Sequence, residues 1–201
     1  MAVKGLLTLF LLACCSCISV SLGGRSSPAV VYEVNPPPPA RAASASCLVL
    51  RIADFTASPA YDRTDMVVVD STGRVVRASG HRWASTPASL LADLLTRDLM
   101  AEGRFESVYR RYTLVGEDVQ LDAHVREFGS RYSGGSWVAR VETDVTILDT
   151  RSGTIAFQGT IRLEEPMPSG GFDELATTMG KLAGRWSSEV RAELDGICVS
   201  D

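Results

Sequence analysis

The segments VQLDAHV, Val119–Val125, and WVARVETDVTI, Trp137–Ile147, decide the fold. In the first, Val119, Leu121, Ala123 and Val125 alternate with Gln120, Asp122 and His124. In the second, Trp137, Ala139, Val141, Thr143, Val145 and Ile147 share a face opposite Arg140, Glu142 and Asp144. Successive side chains of a strand point to opposite sides. A period of two therefore places one face on a core and the other in water, the pattern of an antiparallel sheet. SGGSW reverses the chain between the two segments, and DTRSG makes the next turn. Ile155, Phe157, Ile161 and Leu163 then continue the alternation.

Working outward, the period changes on both sides. After Pro168-Ser169-Gly170-Gly171, the residues Phe172, Leu175, Met179, Leu182, Trp186, Val190 and Leu194 recur at three- and four-residue intervals, the stripe of a helix. Upstream, Thr86-Pro87 supplies an N-cap and a proline at the first helical position. Leu91, Leu94, Leu95 and Leu99 form the buried stripe of that helix, Asp93, Arg97 and Glu102 are assigned to water, and Gly103 stops it. Before it, Val67–Val69 and Val75-Val76 flank the turn Asp70-Ser71-Thr72-Gly73, a hairpin signature. CLVLRIADF, from Cys47, reads as a strand with Leu48, Leu50 and Ile52 on one face. A sheet with one apolar face and two striped helices must share a single core layer. The expected fold is α+β: a mostly antiparallel sheet with two helices on one face, a two-layer sandwich.

The N-terminus has a different character. LLTLFLLACCSC, Leu6–Cys17, follows a single charge at Lys4. The apolar run is about half the roughly 20 residues that a spanning helix needs, which is the length of a signal-peptide core. Leu11-Leu12-Ala13-Cys14 resembles a bacterial lipobox, so Cys14 is the expected acylated first residue of the mature chain. The residue after it is Cys15 rather than aspartate, which favours the outer membrane over the inner. The organisation read from sequence is a signal peptide over 1–13, then a Ser/Gly/Pro-rich tether over 14–46 with a short strand at 30–34. The folded domain spans 47–201.

Composition narrows the function. The net charge is −4 with no basic cluster, so nucleic-acid binding, which needs concentrated Lys and Arg, is excluded. Beyond Cys14, Cys15 and Cys17 of the five cysteines, Cys47 and Cys198 bracket the domain. A disulfide between them would close a loop of about 150 residues in an oxidising compartment. The two histidines, His81 and His124, stand in no metal-binding or catalytic motif, and HExxH, GxSxG and P-loop patterns are absent. No catalytic residue, metal or cofactor is expected. His124 is read as a solvated strand residue and His81 as a packing residue at a strand-to-helix junction.

The least generic segments are PAYDRTDMVV, Pro59–Val68, and HRWASTPASLLADLL, His81–Leu95. One reading is that they fix a loop and a helix start. The other makes Tyr61, Asp62, Arg63, His81, Arg82 and Trp83 a partner-docking rim, since aromatic and arginine side chains dominate interface hot spots.

The order lipobox, VYEVNPPPP, ADFTASPAYDR, HRWASTPASLLADLL and GRFESV resembles the ABC-type transport auxiliary lipoproteins, from about Val31 to Leu194. The sequence departs from that pattern at VVVDSTGRVVRASGHRW, where Val75, Val76 and Ser79 stand in place of expected tyrosines. The resemblance implies a noncatalytic, lipid-anchored periplasmic component of an MCE-type transporter. Its partners would be the MCE-domain protein with its ABC permease and ATPase, docked at the outer membrane for phospholipid transport between membranes. A lipid-binding carrier and an assembly lipoprotein for an outer-membrane barrel are the competing readings; direct phospholipid binding and homo-oligomerisation are left open.

Overall fold

The protein is described from a computed structural model covering residues 28–43, 48–111 and 116–197. Cys14, Cys47 and Cys198, and with them the expected lipidation site and the expected disulfide, lie outside these residues. In chain order the elements are β1 (Val30–Tyr32), β2 (Val49–Ile52), β3 (Thr56–Ala57), β4 (Asp65–Val69) and β5 (Val75–Trp83). There follow α1 (Pro87–Glu102), β6 (Ser107–Tyr109), β7 (Val119–Ser133), β8 (Ser136–Asp149), β9 (Thr154–Met167) and α2 (Phe172–Asp195).

The two segments that decide the fold in sequence become β7 and β8, paired antiparallel along nearly their whole length, with β9 antiparallel on the far side of β8. Val119, Leu121, Ala123, Val125, Ala139, Val141, Val145 and Ile147 are all buried. The other edge of β7 is shared. β2 pairs with it at Leu121, β3 at His124 and Val125, and β4 at Ser130 and Arg131, all three parallel to it. β6 lies parallel to β2, while β5 runs antiparallel to β4 and carries β1 on its outer side. The result is an α+β fold built on one open, mostly antiparallel sheet.

Both helices lie against the sheet and touch each other, α2 mainly on β8 and β9. α1 starts at the N-cap Thr86, whose hydroxyl accepts from the Ser89 N–H, and ends where Gly103 takes φ +65°. Every leucine of its predicted stripe is buried. α2 buries Leu175, Met179, Leu182, Trp186, Val190 and Leu194 as its spacing predicts. Trp186 is the anchor: its indole N–H donates to the Thr143 hydroxyl at 2.8 Å, and its ring meets Phe55 edge-on. That bond accounts for Thr143 among the apolar residues of β8, whereas the Nε1 of the equally buried Trp83 has no hydrogen-bond partner among the described residues.

Two details differ from the sequence reading. Glu102 is buried rather than facing water, because the last turn of α1 abuts α2; Arg104 holds its carboxylate at 2.7 Å and Arg191 at 3.2 Å. Its neighbour Asp98 is buried at the helix–helix contact, accepting from the Ser187 hydroxyl at 2.6 Å and from Arg97. Ile155 is exposed because the β8–β9 register shifts between Ile147 and Leu148, setting Phe157 opposite Ile147 but Ile155 opposite Leu148. One extra residue in a strand reverses the faces beyond it.

Upstream of β2 the chain is packed against the body. Val34 is buried, the Ala42 N–H donates to the Glu102 carbonyl at 2.8 Å, and Pro36 lies against Gly184.

Where β4 meets β7, the Val67 carbonyl sits against the Cα of Gly129, and a Cβ there would collide with it. Gly129→Ala forces one of two hydrogen-bonded backbones to move and should cost about 1–3 kcal/mol, the range for overpacking. It is expected to lower the urea midpoint without changing the slope; an unchanged midpoint would mean that β4 is not held this closely.

Candidate docking surface and its charged surroundings

PAYDR forms the crossing between β3 and β4, both of which pair with β7. The Tyr61 and Asp62 N–H groups donate to the Ser58 carbonyl at 2.8 and 3.0 Å, winding the loop into a tight turn. Tyr61 is buried, and burial, reinforced by the Glu127 carboxylate, pushes its hydroxyl up to about 12. Asp62 is exposed. Arg63 is half-buried; one terminal nitrogen donates to the Pro59 carbonyl at 3.3 Å, and its Nε is buried with no acceptor.

HRW is the end of β5. By strand alternation Trp83 turns inward, and at 1% exposure it packs edge-to-face on Phe128 with ring centroids 5.2 Å apart. Arg82 turns outward and pairs with Asp65 at 3.3 Å. His81 stacks on Phe172 at 4.2 Å, and its Nδ1 lies 3.0 Å from the Tyr32 hydroxyl. That hydroxyl donates to Asp173 in the first turn of α2 at 2.7 Å, so its one proton is committed and His81 must present N–H at Nδ1. The bond to Asp173 also raises the Tyr32 hydroxyl above the usual phenol range. This relay fastens β1 to β5 and α2 together.

The six candidate residues lie on the β3–β4 crossing and the end of β5, with Arg82 on the opposite face of β5 from His81 and Trp83, and they divide by depth. Tyr61 and Trp83 support the surface from beneath, whereas Asp62, Arg63, His81 and Arg82 reach it.

Sequence reasoning missed an ionic lattice on the neighbouring strands. Glu127 and Glu142 stand directly opposite each other on β7 and β8, and both are buried, at 7% and 6% exposure. Like charges in that position repel. Here Arg131 and Arg140 hold Glu127 at 3.0 and 3.3 Å, and Arg162 grips Glu142 with two bonds, at 2.8 and 3.0 Å. Arg162, against the opposing effect of burial, keeps the Glu142 carboxyl below its ordinary value. A general acid would need the reverse shift at Glu142, and the arginine contacts tie both carboxylates into the sheet. His124, read as solvated, is half-buried and bonded to the hydroxyls of Thr56 at 2.8 Å and Ser58 at 3.2 Å. Its Nδ1 meets a hydroxyl, where a catalytic triad places a carboxylate. Among the described residues no group of three or more His, Cys, Asp or Glu is placed to hold a metal ion. No helix among them is long and apolar enough to cross a membrane.

The family model described as "ABC-type transport auxiliary lipoprotein component" matches residues 32–191, from the relay tyrosine of β1 to the Arg191 that holds Glu102. The chain belongs to this family. Membership makes it a transport auxiliary lipoprotein, associated with a membrane through a lipid anchor and with an ABC transporter; the family is not a known family of enzymes. Among solved structures, a Xanthomonas campestris protein assigned to the family DUF330 superposes with a TM-score of 0.73 at 19% identity. That match covers 82% of this chain and 94% of the other. A second, uncharacterized protein gives 0.65 at 18%, covering 83% and 99%. A hypothetical protein of Chlamydia trachomatis gives 0.56 at 10%, covering 78% and 100%. At these identities the likeness concerns the fold. No curated protein matches.

Two outcomes follow for this auxiliary lipoprotein. Trp83→Ala should cost about 3–5 kcal/mol in urea unfolding, as expected for an emptied tryptophan site, whereas Arg63→Ala should stay within about 0.5 kcal/mol of wild type. Equal losses would mean that both residues serve only the fold. Because Glu142 is depressed in the folded state, its contribution is complete above the ordinary carboxyl range and declines as pH falls through its lower folded value. Arg162→Gln, by removing the main cause of the depression, should move acid unfolding to higher pH; an unmoved acid midpoint would count against the lattice.

Proposed function

We propose that this chain is the lipid-anchored periplasmic auxiliary component of an MCE-type ABC transporter, holding the transport assembly at the outer membrane for phospholipid passage between membranes. The observation that carries the reading is the family match across residues 32–191. The lipobox at Cys14 supports it. So does the nature of the surface. A carrier needs a sheltered apolar cavity for acyl chains. Two grooves among the described residues, of about 330 and 640 Å³, are open, and Glu33, Asp93 and Arg97 or Arg63 and Arg77 stand in their walls. Such surfaces suit protein contacts better than lipid enclosure.

On this reading Asp62, Arg63, His81 and Arg82 form the rim that meets the partner, with Tyr61 and Trp83 fixing them from below. Roughly 16 residues separate Cys14 from β1, a reach of at most about 55 Å when extended. Anchoring confines the domain to a thin layer at the membrane and raises its effective concentration there, so modest docking affinity suffices.

Native mass spectrometry of a detergent extract tests the proposal. The expected species carries acyl mass on Cys14 and an MCE-domain protein, and Arg63→Ala with Arg82→Ala weakens that capture without changing circular dichroism. Phospholipid bound to the isolated chain would favour a carrier, and co-purification with an outer-membrane barrel would favour an assembly role; either overturns the docking reading.

A further inference from the structure

We propose that the outer edge of β5, from Val75 to Ser79, is a strand-addition site for an extended segment of a protein partner that alternates aliphatic and acidic residues. It deepens the docking reading, on which it rests only for the partner's identity.

The edge is open for a definable reason. β1 pairs with β5 only at His81, Arg82 and Trp83. Between there and the hairpin the register against β4 slips by several residues, with Asp65 opposite Arg82 but Val67 opposite Arg77, and Gly80 takes φ +83° within the slip. Such a bulge turns the first half of β5 away from the line that β1 follows. Among the described residues no strand pairs with the outer side of Val75–Ser79. The hairpin sets which backbone groups face outward. The Asp70 N–H donates to the Arg74 carbonyl, so Val76 bonds to Val68 while the N–H and C=O groups of Val75 and Arg77 point away from β4. A row of outward donors and acceptors is a template for another strand.

The side chains specify what that strand would carry. Val75 and Val76 are 50% and 46% exposed; among the described residues the other large apolar residues so uncovered are Val30, Val31, Met100 and Ile155. With Pro59, Ala60, Arg63 and Arg77 they line an open groove of about 640 Å³. The arginines are unneutralised: Arg63 has only a carbonyl partner and its Nε is buried without an acceptor, and no ion pair forms at Arg77 among the described residues. By contrast the adjoining Arg74 and Arg82 are paired, with Asp70 and Asp65. Val76 and Arg77 point to opposite faces of β5, so an added strand of that alternation would lay its aliphatic side chains over Val76 on one face and set its carboxylates against Arg77, beside Val75, on the other, with Arg63 in the wall of the same groove.

The test uses the full-length lipoprotein in detergent and a fluorescent synthetic peptide alternating valine and glutamate, with a counterpart carrying lysine for glutamate. Fluorescence anisotropy should show binding of the acidic peptide only. Val75→Pro, which removes one outward N–H and no ladder bond, should weaken it about tenfold, and so should Arg63→Glu combined with Arg77→Glu. Arg185→Glu, on α2, should leave it unchanged. Equal binding of both peptides, or indifference to Val75→Pro in a folded variant, overturns strand addition. So does binding of phosphatidylglycerol vesicles, but not of peptide, that is lost in the double arginine variant; the edge is then a lipid contact. A larger species in sedimentation velocity that Val75→Pro dissolves, with no peptide binding, assigns the edge to a second copy and also overturns it. If the peptide fails while MCE capture persists, this inference falls alone. If the peptide binds while no MCE protein is captured, the transporter reading falls and the edge stands.

Discussion

The structure depends on how the backbone of β7 satisfies its two edges. One edge is zipped to β8 by a single long antiparallel ladder. The other is divided among β2, β3 and β4, three short segments of one continuous stretch that run beside β7 and rejoin it after each departure. Buried amides left unpaired would each be costly, so those segments have little freedom to move along the strand. The crossing between the second and third segments is the PAYDR loop, and the hairpin projecting from the third carries β5. The candidate docking surface is thus a consequence of sharing one strand edge among three partners.

Polar groups then hold the layers in register. Trp186 to Thr143 sets α2 on the sheet, Ser187 to Asp98 sets it against α1, and Arg191 and Arg104 meet at Glu102. Each is a buried group whose partner comes from another element, so a displacement of either helix would strand a donor or a charge. The Tyr32 relay does the same for β1, which connects the folded body to the chain leading toward Cys14. β1 is thus fastened by side chains as well as by three paired residues.

Legibility of the site followed periodicity. His81, Arg82 and Trp83 stood out as an ungeneric segment at a strand-to-helix junction, and the structure ties Trp83 and Arg82 to the chain just after the PAYDR loop, through the Thr64 carbonyl and Asp65. Their depth was not readable: Trp83 and Tyr61 are inside because Phe128 and the Glu127 lattice, far along the chain, close over them. Glu102 and Asp98 were misread or passed over because a helix stripe counts only apolar residues, and nothing local tells a charged residue that an arginine of another helix awaits it. Ile155 kept its alternation in sequence and lost it to one inserted residue.

From the sequence alone came the fold class, the long ladder of three strands, both helices with their stripes, and the family resemblance. These are written in local periods, caps and motifs, which short-range sterics and burial enforce residue by residue. Tertiary structure alone decided that the strands upstream of α1 lie parallel to β7, that an acid pair sits caged on the sheet, and that β5 is left half unpaired. Each of these pairs residues remote in the chain, and no local period records which distant partner will satisfy a backbone edge or a buried charge.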